Sequence, residues 1–450
     1  MVNERERAGM KIRALAALCL LTMVAVIPLS VAAQDAGIWV VDQSVDAAFR
    51  EHITFDVGLG SDQPIESVQL LYKVQSLGLS VTSRGDAEFD PGTEITAKFT
   101  IDQEKDYLPP GSVLEYWWKV TDAGGSTLTT DHRTFVYFDE RQDWQSLTND
   151  RLSLYWYHGD EDFGQSLFDR ANETLDQIER EADVRVEMPI RIFIYGSHSD
   201  LMDAIDVGAQ EWTGGLAFTE QGVIVLGVSP RDLDFALVAL PHELTHLVIH
   251  QATDNPFGDL PVWLDEGLAV HMSGELDASW RGYRGIVEDR VKSDDLISLQ
   301  TLSSSFPADP DAARQSYAQS GLVVEYIIDE FGPESMAELL GIFAEGSTYD
   351  DALMQALDLD TWGLDNAWRQ SIGASQVSVS NEDAEPAPVV EKPTDQESVG
   401  DDPSRDPVTE TVVETDTEPT NAFALPCMGS LGVVVLALLA LWTRPGGSTG

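Results

Sequence analysis

Cysteine is nearly absent from the 450 residues: only Cys19 and Cys427 occur, each in an apolar segment near one end. The long span between them therefore has neither an internal disulfide nor a thiolate-ligated metal. Basic side chains are scarce too, with 27 Lys+Arg against 77 Asp+Glu and a net charge of −50. Nucleic-acid binding needs a basic surface to replace phosphate counterions, so this balance argues against it. It argues equally against docking on an anionic membrane face. Lysine is the rarest charge, at seven; high-salt adaptation and colloidal solubility both account for such acidity. Apolar residues are not scarce: at 43% they are enough to build the cores of two or three domains.

The two ends read as addresses. Lys11 and Arg13 precede an apolar run from Ala14 to Leu29, and Val31-Ala32-Ala33 fits a small-residue cleavage site. This is the pattern of a secretory signal over 1–33. At the other end, Phe423 to Trp442 gives 20 apolar-rich residues followed by Arg444. At about 1.5 Å per residue a helix of that length just crosses a hydrocarbon layer of about 30 Å. The segment is therefore expected to be a single transmembrane helix, with 443–450 as a short cytoplasmic tail. Between it and the folded part, 374–422 holds 13 acids against Lys392 and Arg405. It has no apolar period and reads as an extended disordered stalk.

Two folded parts lie between these ends. Over 37–140 apolar residues alternate with polar ones, as in Ile53/Phe55/Val57, Val68/Leu70/Tyr72/Val74 and Leu114/Tyr116/Trp118/Val120. Turn-forming stretches such as Pro91-Gly92 and Pro109-Pro110-Gly111 separate the runs. Roughly seven short strands at this spacing predict an all-β, immunoglobulin-like sandwich. It carries no cluster of reactive residues and reads as an accessory or spacer domain. Over 150–373 strands come first (152–157, 189–195, 212–218, 222–227) and helices follow, which predicts an α+β domain.

That second part carries the chemistry. Ser229-Pro230-Arg231-Asp232 has the form of a capping box opening a helix. The helix passes Pro241, where a kink is expected, and continues as His242-Glu243-Leu244-Thr245-His246. His242 and His246 are four apart and share one helix face, so both imidazoles can reach one zinc ion. Glu243 faces the open side of such an ion and can take a proton from zinc-bound water. There are eight histidines in all, and two of them fall at this spacing. Apolar residues flank them on both sides, where an unpartnered polar group is costly.

Further on comes Trp263-Leu264-Asp265-Glu266-Gly267-Leu268-Ala269. With HExxH, this W-L-x-E-G-x-A segment resembles the gluzincin clan of zinc metallopeptidases, in particular the secreted peptidase MA-like group. The resemblance covers roughly 150–373. It implies that His242, His246 and Glu266 ligate one Zn2+ per chain and that Glu243 is the general base. His250 lies too far along its helix to share the ion, and His271 is off the Glu266 face. Asp265 is either a partner of a ligand histidine or a solvated acid. Tyr317 is either a donor to the tetrahedral intermediate, as a tyrosine is in some gluzincins, or a core residue. Gly214-Gly215-Leu216-Ala217-Phe218, opening on a glycine pair, stands where the aminopeptidase branch carries a G-x-M-E-N segment whose Glu holds the substrate amino terminus, and it has no Glu. That departure argues against aminopeptidase activity of that kind. The pair either lets a substrate backbone approach an edge strand or makes a plain bend.

The function this implies is hydrolysis of peptide bonds in a peptide or protein substrate outside the cell, by an enzyme held at the membrane through its C-terminal helix. The rival reading is a surface binding or adhesion protein that uses the β-domain, with a non-catalytic zinc domain. Oligomeric state is not legible.

Overall fold

The computed structural model describes residues 37–77, 81–205 and 214–377. The expected signal (1–33), most of the stalk (374–422) and the apolar segment 423–442 lie outside these residues or almost so. No helix among the described residues is long and apolar enough to cross a membrane.

The first part is built from two antiparallel sheets. One has the order β1 (Ile38–Ala48), β2 (His52–Ser61), β5 (Glu94–Asp102). The other runs β4 (Ser83–Asp86), β3 (Ile65–Val74), β6 (Val113–Asp122), β7 (Thr127–Thr129), with β8 (Arg133–Val136) pairing the first half of β6. The alternation read in the sequence is the inward face: Ile53, Phe55 and Val57 of β2 meet Val68, Leu70, Leu114, Trp118 and Val120 in one core. The sandwich has eight strands among the described residues against the seven expected, because the last turn-rich stretch yields two short strands.

The second part starts with a strand the alternation does not disclose, β9 (Gln145–Thr148). It edges a five-stranded sheet of order β12 (Gly215–Phe218), β13 (Val223–Gly227), β11 (Ile190–Tyr195), β10 (Leu152–Trp156), β9. β10, β11 and β13 are parallel, and the two outer strands are antiparallel. The parallel step from β10 to β11 is made by α1 (Glu161–Ala182), whose Asp160 side chain accepts from Phe163 N as N-cap. Phe163, Leu167, Ala171, Leu175 and Ile178 of α1 are buried in the same core as Leu154, Ile192 and Ile194. The other face of that sheet, Phe193, Tyr195, Val223 and Val225, joins the core of the sandwich together with α2 (His198–Ala204). Each central strand is thus apolar on both faces.

The remainder is helical: α3 (Leu233–Thr253), α4 (Val262–Ser273), α5 (Tyr283–Ser293), the single turn α6 (Leu299–Leu302), α7 (Pro310–Phe331), α8 (Pro333–Ala344), α9 (Tyr349–Leu357) and α10 (Thr361–Ser371). The whole is α+β, β-rich first and helical last, as expected. The entry to α3 differs from the expected capping box. Pro230–Asp232 form a short 3-10 turn, and Ser229 Oγ donates to the Asp232 carboxylate at 2.7 Å instead of capping a backbone amide. The helix itself begins at Leu233 and runs through Pro241 without a break.

Candidate metal centre

α3 and α4 lie side by side and present their polar residues to each other. His242 and His246 project from α3, and Glu266 comes from the middle of α4; all three are buried. Glu266 Oε2 lies 3.5 Å from His242 Nε2 and 3.4 Å from His246 Nε2. One ligand atom from each falls within 4.8 Å of the others, the arrangement that could hold one metal ion. Among the described residues this is the one group of three or more His, Cys, Asp or Glu so placed.

α4 approaches α7 closely enough to position Glu266 because two glycines stand at the contact. A Cβ on Gly267 would come 2.6 Å from Ser320 O, and one on Gly321 would come 2.5 Å from Val270 Cγ1. Gly267 follows Glu266 directly, so the Glu-Gly pair combines the ligand with the contact that sets its depth.

An acid stands at the outer nitrogen of each histidine, hydrogen-bonded at His246 and at ion-pair distance at His242. His246 Nδ1 is 3.0 Å from Asp265 Oδ1, which puts Asp265 beside a site histidine instead of out in solvent. His242 Nδ1 is 2.9 Å from Glu275 Oε1, and Glu275 Oε2 is 3.2 Å from Arg281 Nε. A carboxylate at each Nδ1 favours a proton there and leaves Nε2 as the nitrogen that faces Glu266. No motif in the sequence singles out Glu275. Its one signal is its position, an acid between the apolar α4 and the buried Leu276, just past the left-handed Gly274.

The electrostatics follow from these pairings. Burial pulls His242 down, but Glu275 at one nitrogen and Glu266 at the other raise it to about 9. His246 is likewise raised well above the ordinary histidine range, burial being outweighed by Asp265 and Glu266. Burial pushes Glu266 up, yet the two imidazoles hold it at about 2. Glu243 has no such neighbour at bonding distance. Burial raises it to about 7, with His246 and His242 opposing.

Nε2 of His242 and His246 and Oε2 of Glu266 are buried without a hydrogen-bond partner, in a group whose ligand atoms lie within 4.8 Å of one another; both carboxylate oxygens of Glu243 are buried and unpartnered as well, as are His242 Nδ1 and the Glu275 carboxylate. Unpartnered polar atoms in a dry interior are expensive. Two neutral imidazoles and a carboxylate are the donor set of a zinc site with an open position, so the residues fit the ion.

The other expected candidates fall as follows. Tyr317 packs edge-on against Phe306 with centroids 5.1 Å apart, and its ring is 6.4 Å from that of His242. Burial and the nearby Glu266 raise its hydroxyl well above the usual range, so it stays a donor. His271 leaves the site and pairs with Glu181 at 2.8 Å, and His250 lies at the surface near Asp254. β12 is the edge strand of its sheet. A Cβ on Gly215 would come 2.3 Å from Leu226 Cδ2, so the glycine there serves packing, while one on Gly214 would only touch the Phe235 ring at 3.5 Å.

Residues 170–374 match the family model of the Peptidase MA superfamily, which bears out the resemblance read from the sequence over that span. No curated protein matches. Among solved structures, the match to the catalytically inactive OgpA from Akkermansia muciniphila in complex with an O-glycopeptide (glycodrosocin) substrate has 12% identity and TM-score 0.19. It covers 24% of this chain and 30% of that one, so this chain spans about a third of that protein. The M1 zinc metallopeptidase from Deinococcus radiodurans matches at 11% identity and TM-score 0.30, covering 75% of this chain and 93% of that one. A β-1,3-glucan binding domain of carbohydrate-binding module family 56 matches at 19% identity and TM-score 0.15, covering 22% and 99%.

Proposed function

We propose that the chain is a zinc-dependent peptidase, with His242, His246 and Glu266 as the protein ligands of one Zn2+ and Glu243 as general base. The observation that carries this reading is the cluster of buried, unpartnered atoms of His242, His246 and Glu266, with the buried, unpartnered carboxylate of Glu243 on the residue next to His242. Bound there, zinc would supply Lewis-acid polarisation of a peptide carbonyl and a lowered pKa for water. The chain's own residues do the rest. Asp265 and Glu275 hold the imidazoles in the tautomer that offers Nε2. The Glu243 carboxylate takes a proton from the attacking water and passes it to the leaving amine. With its value near 7 in the metal-free chain, a cation beside it favours the ionised form a base requires. Tyr317, protonated and with its ring 6.4 Å from that of His242, would be the donor to the oxyanion.

A protein that only bound ligands through the β-sandwich would have no use for Glu243, whose two buried oxygens lack any structural partner. The location follows from the terminal segments: a signal at 1–33, an acidic stalk and an apolar segment at 423–442 argue for a membrane-anchored enzyme facing outward. Fractionation of cells followed by protease shaving tests that part, and recovery of intact enzyme from the cytosol would overturn it.

The site is tested on the purified full chain. Wild type should bind about one zinc and cleave a proteome-derived peptide mixture, read by mass spectrometry. His246→Ala should lose the metal. Glu243→Gln should keep the metal and lose turnover by about 10³-fold or more. Full activity in Glu243→Gln would overturn the mechanism.

A further inference from the structure

Pro241 sits inside α3, one residue before His242. A helical amide donates to the carbonyl four residues back, and proline has no amide hydrogen to give. The carbonyl so deprived is that of Leu237. Arg170, from the middle of α1, supplies the missing donor: its Nε lies 3.1 Å from Leu237 O.

The same guanidinium reaches the second helix of the site. Its Nη2 lies 3.0 Å from Ser273 O and 3.5 Å from Met272 O. Those carbonyls belong to the last turn of α4, where helical acceptors have no partner within the helix and where the helix end carries partial negative charge. One planar cation thus joins α3 five residues before His242 to α4 two residues before Glu275. Its nearest carboxylate, Glu173, is 3.9 Å away and exposed, so the backbone carbonyls are the main partners.

We propose that Arg170 is a positioning residue of the metal centre. By bridging the proline-freed carbonyl of α3 and the end of α4, it sets the separation at which Nε2 of His242 and His246 meets Glu266. Its hydrogen bonds go to backbone carbonyls and to none of the ligand atoms, so it acts through the two helices. The inference rests on the zinc reading of the site.

The test compares the full-length wild type with Arg170→Met, Arg170→Lys, Pro241→Ala and the double variant Arg170→Met/Pro241→Ala. Zinc affinity is measured by competition with a chromophoric chelator, site geometry by the visible spectrum of the Co2+ form, and stability by melting of the metal-free chain. Arg170→Met should raise the zinc Kd by about 10-fold or more and change the Co2+ bands. Arg170→Lys should do less harm, since an ammonium keeps the charge but not the fork. Adding Pro241→Ala should recover part of the loss, because it restores a backbone amide hydrogen that can itself serve Leu237 O. Wild-type affinity and spectrum in Arg170→Met, with only a lower melting point, would overturn the proposal. So would a double variant no better than Arg170→Met. If Arg170→Met does not fold, Arg170→Lys with and without Pro241→Ala makes the same comparison. A wild type that takes up neither metal overturns the zinc reading and this inference with it. Wild-type binding matched by all the Arg170 variants overturns this inference alone.

Discussion

A histidine accepts a metal only through a nitrogen that carries no proton. In the metal-free chain the acids around His242 raise it to about 9 and those around His246 raise it as well. At pH 7.5 the ion must therefore displace a proton from His242, and the raised His246 opposes binding in the same sense. The sign is clear: protonation opposes binding, so zinc affinity rises with pH through neutrality. Calorimetry in buffers of different ionisation enthalpy should show at least one proton released per ion at pH 7.5. Binding with no proton release would mean the imidazoles are already neutral. The two acids beside the histidines separate by burial. Glu275 is fully buried and also meets Arg281, whereas the Asp265 side chain is 29% exposed. Both Glu275→Gln and Asp265→Asn should weaken zinc by about 10-fold. Glu275→Gln alone should also lower the melting point markedly, because it strands a buried guanidinium.

Among the elements, α4 shows why part of the site is legible in the sequence and part is not. His242, Glu243 and His246 can be read because a helix puts residues four apart on one face, a relation the sequence carries by itself. Glu266 needs the resemblance, since nothing local says that α4 returns beside α3. Glu275 escapes notice because its pairing with His242 is purely tertiary. Pro241 signals the loss of a helical hydrogen bond, but not its replacement: Arg170 donates to the orphaned carbonyl, a partner 67 positions away in the chain. Ser229 predicts a cap, but its hydroxyl has a nearer acceptor in the Asp232 carboxylate. The Glu266-Gly267 pair gives this scale its prediction. A methyl group at 267 would meet Ser320 O at 2.6 Å and Val324 Cγ2 at 2.7 Å, so α4 must move off α7 and carry Glu266 with it. Gly267→Ala should cost about 1–3 kcal/mol in urea unfolding, together with a loss of zinc affinity. Unchanged stability would show that the helices separate freely.

At the scale of the whole molecule, the sequence reads as a sandwich followed by a separate α+β domain, and the structure joins them. The clue lies in β11, Ile190-Arg191-Ile192-Phe193-Ile194-Tyr195, which is apolar at nearly every position where a half-solvated strand would alternate. Ile190, Ile192 and Ile194 face the helices, while Phe193 and Tyr195 face the sandwich. Gly111 lies so close to Phe193 that a Cβ there would come 2.8 Å from its ring. Tyr195 donates its hydroxyl to the buried Asp139 at 2.9 Å, and Arg50 reaches Asp203 O at 3.1 Å. The sandwich therefore covers the sheet face opposite the helices that carry the candidate metal centre, and the helical half depends on it for burial. Residues 37–377 should unfold in a single calorimetric transition, with van't Hoff and calorimetric enthalpies agreeing. A fragment that begins at 150 exposes Phe193, Tyr195, Leu216, Val223 and Val225 together, an apolar face of the kind that drives aggregation. It should be insoluble or bind a hydrophobic dye strongly. A soluble, zinc-binding 150–377 fragment that melts at the temperature of the longer chain would mean that the sandwich is a separable appendage. The sheet face it now covers would then have to be stable in water by itself, against the cost of exposing five large apolar side chains.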